Sequence, residues 1–317
     1  MRDTLLLIDA NSLIHRAYHA LPPFKSPDGR PTGALYGLAS ILLKIFSAKG
    51  VSPPDGRAGA SDGKEGTINN GVPRYVTAAF DRPEPTFRNR EYKDYKGTRP
   101  RASDDLISQI VEARKLLNIF NIKCFEMPGW EADDIIMTLA AKFSDEKKLN
   151  QIIIFSGDLD LLQAVQDNRI ILETPQKGIS NTIIYDESAV VERFGVGPEL
   201  LADFKGFVGD KSDNIPGLPG VGPKTAASLI KKFGSLENIY KEIDEVGLND
   251  YKLQAKLVSY RDQAFLSKRL ATLSRTAPII TDIDALQIGG LDSERVKNYF
   301  EDLGFSTLVT RLHKYYT

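Results

Sequence analysis

The sequence predicts an α/β fold, a mainly parallel central sheet flanked by helices, continued by a helical region. Three observations predict it. Four short apolar, β-branched runs alternate with segments of helical periodicity. Three of those runs lead into aspartate, as strands ending on a ligand-binding edge do. From about Asp186 the pattern changes to short helices and glycine turns without strong strands.

Taken in order, Leu5–Ile8 reads as a buried strand, and Ala34–Ala48 as a helix with Leu35, Leu38, Ile41, Leu42 and Ile45 on one face. Val51–Pro73 follows, with five glycines, three prolines and almost no large apolar residue. It has little to bury against the entropy of ordering, so a mobile loop is expected. Tyr75–Phe80 is the second strand. Asp104–Leu117 is a helix opened by a Ser103 cap, with Leu106, Ile107, Ile110 and Val111 at helical spacing. Ile122–Phe125 and Gln151–Phe155 are the remaining strands, with the helix Glu131–Phe143 between them. The expected division is an α/β core over 1–185 and a helical region over 186–317, with a mixed tail after about Leu270.

Composition sets bounds. Of 317 residues 42% are hydrophobic and 26% charged, which excludes a disordered, collagen-like or membrane-embedded chain. Cys124 is the single cysteine, so no intrachain disulfide forms and a reducing compartment is expected. With only His15, His19 and His313 besides, soft ligands are too few for the usual structural zinc sites. The apolar run Leu5–Ile8 meets Asp9 too early for a signal-peptide core, and the cytoplasm is the expected address. The formal net charge is −1, so any grip on nucleic acid must come from local clusters rather than an overall field.

A separate acidic cluster cancels the basic residues in that sum. Asp9, Asp81 and Asp158 follow strands, with Asp160 two residues on from the last. Glu131, Asp133 and Asp134 open a helix, and Asp210 and Asp213 lie in Val-Gly-Asp-Lys-Ser-Asp-Asn. Each alone has an ordinary reading as a turn or cap residue. Gathered at one sheet edge they would repel one another unless a hard divalent cation intervened, and oxygen-only donors suit Mg²⁺ or Mn²⁺. Two such ions clamp the attacking and leaving oxygens of phosphoryl transfer, so the expected chemistry is phosphodiester hydrolysis.

Directly after Asp81, Arg82–Arg101 carries seven basic and three acidic residues, with Phe87, Tyr92 and Tyr95 interleaved. Such a run is commonly a solvated loop. Basic residues interleaved with aromatics can also grip a single strand, and this position would hang over the metal edge. Further on, Gly217–Ala227 places Gly-Val-Gly ahead of a helix, with Lys224 and Thr225 in its first turn. This is a tight interhelical turn whose free N–H groups can hold a DNA phosphate without reading sequence. Pro223 before Lys224 excludes a P-loop.

These motifs together resemble the 5′-nuclease domain of bacterial DNA polymerase I, related to the flap endonucleases. The resemblance runs through LLLIDANSLIHRAYHALPP, AFDRPEPTFRNREYKDYKGTRP, GWEADDIIMTLA, FSGDLDLLQAV and GDKSDNIPGLPGVGPKTAASLIKKFG, and covers nearly all of the chain outside 51–73. It implies cleavage of 5′ flaps and 5′ ends of nicked or branched duplex DNA and of RNA–DNA primers in replication and repair. It implies two or three Mg²⁺ or Mn²⁺ ions: one group of ligands would be Asp9, Asp81, Glu131 and Asp133 with Asp134 close by, the other Asp158, Asp160, Asp210 and Asp213. Residues 82–105 would form an arch-like segment in which Arg88 and Lys96 act at the scissile phosphate, with Arg16 and Tyr95 as further DNA contacts. The turn Gly220, Val221, Gly222, Lys224 and Thr225, within a helix-hairpin (H3TH-type) motif over 206–235, would touch duplex backbone and hold K⁺.

Two departures stand beside it. The 51–73 loop is longer than usual, so no role carries over to it. The chain also stops near Thr317, where a polymerase I continues into proofreading-type and polymerase domains, so it is expected as the N-terminal part of such a polymerase or as a stand-alone monomeric nuclease. A non-catalytic branched-DNA-binding module is the alternative, and missing carboxylates would mark it; every expected position is filled. A small-molecule phosphatase would carry DxD after its first strand, where this chain has Asp9-Ala10-Asn11.

Overall fold

A computed structural model describes residues 2–46, 72–167, 169–176 and 182–316. Strand β1 (Arg2–Asp9) passes directly into α1 (Ala10–Ala20), because the Asp9 carboxylate accepts the Ser12 N–H as an N-cap. Then come α2 (Gly33–Phe46), β2 (Pro73–Ala79), the short α3 (Phe87–Glu91), α4 (Asp104–Ile119), β3 (Lys123–Phe125), α5 (Ala132–Phe143) and β4 (Gln151–Phe155). Ser103 caps α4 as expected, and Glu131 stands as the N-cap of α5 rather than inside it. The expected loop 51–73 lies outside the described residues up to position 71, as do the last two positions of the expected helix 34–48.

Two strands were not expected. β5 (Ile170–Pro175) and β6 (Thr182–Tyr185) extend the sheet to the order β3-β2-β1-β4-β5-β6, all parallel except the β5–β6 pair. The chain builds outward from β1 to β3 and then returns to the other side of β1. The β1/β4 boundary is therefore the switch point, where the crevice beyond the strand ends is widest.

Alternation along β1 sorts the core into two layers. Leu5 and Leu7, with Ile152 and Ile154 of β4, belong to one continuous apolar layer with α5 and with residues of the helices α6 (Glu187–Phe194), α7 (Leu201–Val208), α8 (Pro223–Phe233), α9 (Leu236–Lys241), α10 (Ile243–Asn249), α11 (Tyr251–Ser259) and α12 (Arg261–Ala271). Leu6 and Ile8, with Ile153 and Phe155, pack against α1, α2 and α4. The chain then runs back along the sheet, where Ile288 N–H donates to Arg74 O at 3.0 Å. It ends in α13 (Ser293–Asp302) and α14 (Ser306–Tyr316), whose Phe300, Leu308 and Leu312 join the second layer. Within 186–317, the helices to Ala271 and the last two helices thus sit on opposite faces of the sheet.

The α7–α8 connection is tightened by close backbone approach. A Cβ at Gly217 would lie 2.3 Å from Val208 O, and Gly209 (φ +70°) is equally enclosed. Between them Asp210 and Ile215 exchange backbone hydrogen bonds of 2.9 and 2.8 Å, a closed loop that presents Asp210 and Asp213 toward the sheet edge. Among the described residues no helix is long and apolar enough to cross a membrane.

Candidate active site

Beyond the ends of β1, β2 and β4, the Asp9, Asp81, Asp133 and Asp158 side chains border one cavity of about 280 Å³. Local structure fixes each of them. Asp9 accepts from Ser12 N–H at 3.0 Å and from the Ser156 hydroxyl at 2.5 Å. Asp81 accepts from Ala132 N–H at 2.7 Å and from the Asn11 amide at 3.2 Å, tying the end of β2 to the start of α5. Asp158 accepts the Asp160 N–H at 2.9 Å. Burial, opposed by its hydrogen bonds and reinforced by Asp81 and Asp158, pushes Asp9 up to about 7. Burial, with Asp158 and Asp9 next in size, holds Asp133 well above the usual carboxylate range.

The other carboxylates are held by the chain's own cations. Glu131 accepts from Arg88 at 3.2 Å, the Tyr95 hydroxyl at 3.0 Å and Lys96 Nζ at 2.9 Å. Asp213 accepts from the same Tyr95 hydroxyl at 3.0 Å and pairs with Arg99. Lys205 bridges Asp160 and Asp210, the latter at 2.5 Å. Burial raises Asp160 to about 6, with Lys205 opposing it, whereas at Asp210 burial is outweighed by Lys205 and the Ser212 hydrogen bonds together and the pKa is lowered. Asp9, Asp81, Asp133 and Asp158 thus share one cavity, while Glu131, Asp160, Asp210 and Asp213 are paired with cations beside it. Among the described residues no three carboxylate, imidazole or thiol groups stand together as a ready-made ion site. Hard divalent cations still fit the set, because its donors are oxygens and two buried carboxyls carry charge they cannot easily hold alone.

Three expectations are corrected. Arg88 is not at an open phosphate site: it is 1% exposed, and all five of its N–H groups are used. It grips Asp134 bidentately at 2.7 and 2.9 Å, reaches Glu131, and donates to Leu270 O and Thr272 O at 2.8 Å. Asp134, fully buried, is consequently the partner of Arg88 and the second half of the α5 capping box, not a ligand facing the cavity. Tyr95 is 4% exposed and cannot stack a base; its hydroxyl joins Glu131 to Asp213. Further contacts tie the basic segment to the loop that carries Asp210 and Asp213. Lys96 (φ 55°) donates its N–H to Asp213 O at 2.8 Å, and the Asn214 amide donates to Asp94 O at 2.8 Å.

Lys96 does border the carboxylate cavity, as expected. Arg16 donates to Gln176 O at 2.5 Å on the rim of the sheet edge. Gly220 adopts φ +75°, Gly222 caps α8, Val221 is buried beneath the turn, and Lys224 is exposed in the first turn of α8 beside the half-buried Thr225. Sequence reasoning missed Arg99, His15 and Lys205. The first two border the carboxylate cavity, and Lys205 lies only five residues before its partner Asp210, which was the available signal.

The chain is thus a mainly parallel α/β domain with a carboxylate-lined crevice at its switch point and an appended helical region. A family model described as 5′-3′ exonuclease, N-terminal resolvase-like domain, matches residues 4–195, and one described as 5′-3′ exonuclease, C-terminal SAM fold, matches residues 196–294. The chain belongs to the 5′-3′ exonuclease family. It is 34% identical over 312 residues to a 5′-3′ exonuclease of Aquifex aeolicus (strain VF5), covering 98% of this chain and 96% of that one. It is 40% identical over 311 residues to DNA polymerase I of Bacillus subtilis (strain 168), covering 98% of this chain but 32% of that protein, so the chain spans about a third of the polymerase relatives it matches. Among solved structures it shares its fold with T5 5′-exonuclease bound to zinc (TM-score 0.62, 18% identity, 98% of this chain and 97% of that one). It also shares it with the catalytic core of Rad2 in complex with DNA substrate (TM-score 0.61, 18% identity, 100% and 93%).

Proposed function

We propose that this chain is a metal-dependent, structure-specific 5′ nuclease that hydrolyses phosphodiesters at 5′ flaps and 5′ ends of nicked or branched duplex DNA and RNA–DNA primers. In the cell it would work in the cytoplasm as the N-terminal part of a DNA polymerase I. The observation that carries the reading is the cavity at the switch point of the sheet, bordered by Asp9, Asp81, Asp133 and Asp158 with Lys96 and Arg99 on its rim. Two or three Mg²⁺ or Mn²⁺ ions held by these carboxylates and by Asp160, Asp210, Asp213 and Glu131 would supply the activated water and stabilise the leaving oxygen. Lys96 and Arg99 would exchange their carboxylate partners for the scissile phosphate and stabilise its growing charge. The Gly220–Thr225 turn, with a K⁺ at its backbone, would hold duplex phosphate away from the cut. A 5′-labelled flap duplex tests this: Mg²⁺ should support cleavage at a position next to the flap junction and EDTA should abolish it. Uncut substrate at saturating enzyme and Mg²⁺ would sink the reading.

Two variants separate chemistry from positioning. Lys96→Ala is expected to lower single-turnover cleavage roughly a hundredfold, the usual loss for one electrostatic stabiliser, with a smaller change in affinity. Lys224 borders none of the cavities near the carboxylates. Lys224→Ala should weaken binding and reduce its salt slope by about one, leaving turnover at saturating DNA nearly unchanged. Binding in Ca²⁺ beside single-turnover rates checks both; a pure affinity loss in each would make Lys96 a simple phosphate anchor.

A further inference from the structure

A second cavity, of about 350 Å³, opens beside the carboxylate edge. Asp81, Lys96 and Arg99 border both cavities, so the two meet across that trio. The chemistry of the second differs from that of the first. Trp130, Pro83, Pro85 and Arg82 line it, with the Arg82 guanidinium held by Glu84 at 2.6 Å and Glu126 at 3.0 Å. Trp130 is braced rather than loose. Its ring meets Phe87 edge-on at 5.5 Å, Phe87 N–H donates to Gly129 O at 3.2 Å, and Trp130 N–H donates to Met127 O at 3.2 Å. The acidic groups on the wall are mostly compensated: Glu84 pairs with Arg82 at 2.6 Å and Glu131 with Lys96 at 2.9 Å.

A lining that combines an aromatic residue, two prolines and an arginine suits one ligand class, a nucleobase. We infer that the Trp130 cavity is a nucleobase subsite for the unpaired flap nucleotide next to the scissile phosphate. A phosphate lying between Lys96 and Arg99 at the shared border would face the carboxylates on one side and direct its own nucleoside into the Trp130 cavity on the other. A base inside a duplex is stacked and paired and cannot enter, so the subsite selects single-stranded flap over continuous duplex. This inference rests on the nuclease reading and adds to it where one base goes.

Trp130 is the single tryptophan of the chain, so its emission reports on this cavity alone. The test titrates the protein in Ca²⁺ with two 5′-flap duplexes. One has a normal base and the other an abasic residue at the flap nucleotide adjoining the mapped cut. The normal flap should quench Trp130 saturably and bind roughly tenfold more tightly than the abasic one, as expected for one stacked base. The abasic flap should leave the emission near that of free protein. In Trp130→Ala, and in Trp130→Leu as the bulkier replacement, the two flaps should bind within about twofold of each other. Equal quenching by both flaps, or a tenfold preference that persists in the folded variants, overturns the inference. If neither variant folds, the quenching comparison on the unaltered protein decides alone. Failure to bind any flap DNA would remove the nuclease reading and this inference together. Normal binding and cleavage with an indifferent Trp130 would remove this inference only.

Discussion

Asp158→Asn is expected to reduce single-turnover cleavage of a 5′-flap duplex on the order of a thousandfold while its affinity for the same DNA in Ca²⁺ changes little. The reason is position. Among the described residues Asp158 is the one carboxylate that borders both the cavity with Asp9, Asp81 and Asp133 and the neighbouring cavity with Asp160 and Asp210. If divalent ions occupy the two groups, Asp158 stands between them and its loss disturbs both. Asparagine is the informative replacement. The carboxylate also caps the 3₁₀ turn Leu159–Ala164 through the Asp160 N–H at 2.9 Å, and an amide oxygen can keep that bond. Folding is therefore preserved while charge is removed. Binding should survive because affinity comes from cations on phosphate, and a negative charge is being taken away. Cleavage by Asp158→Asn at an ordinary rate would refute the two-group arrangement.

Arg88→Ala is expected to destabilise the fold by about 3–5 kcal/mol, the usual cost of removing one partner from a buried ion pair. Arg88 joins three elements: α3, the start of α5, and the chain leaving α12. Alanine would leave the fully buried Asp134 without its bidentate partner, and the Leu270 and Thr272 carbonyls without a donor. Arg88→Lys keeps the charge but not the fork, and should recover only part of the loss. Urea unfolding in EDTA measures this without interference from metals. A loss under about 1 kcal/mol would show that Arg88 contributes no more than an ordinary surface residue.

Much of the site was legible because strands β1, β2 and β4 carry short, mostly apolar runs, and an aspartate at the end of a parallel strand has only one edge to point to. The edge strand β6 escaped because it has only four residues, most of them half-buried, and pairs antiparallel. The basic segment was misread for a different reason. Counting charge along 82–101 treats each Arg and Tyr as facing solvent, whereas the partners of Arg88 lie 43 to 184 residues away and those of Tyr95 36 and 118. No local pattern signals a partner at that separation. The same holds for Lys205, whose second partner Asp160 is 45 residues distant. The sequence thus locates the carboxylates, while tertiary structure decides which cations neutralise them when substrate is absent.

The central claim is that these carboxylates place divalent cations on the scissile phosphate. Sulfur substitution at that phosphate tests it most directly. Each non-bridging oxygen at the mapped cut is replaced in turn, and single-turnover cleavage is compared in Mg²⁺ and in Mn²⁺. The account predicts that one diastereomer is cut at least roughly tenfold more slowly in Mg²⁺ and regains most of that loss in the softer ion, because hard Mg²⁺ binds sulfur poorly. Equal rates for both diastereomers and the unmodified phosphate in Mg²⁺, or a loss that Mn²⁺ leaves unchanged, would contradict it.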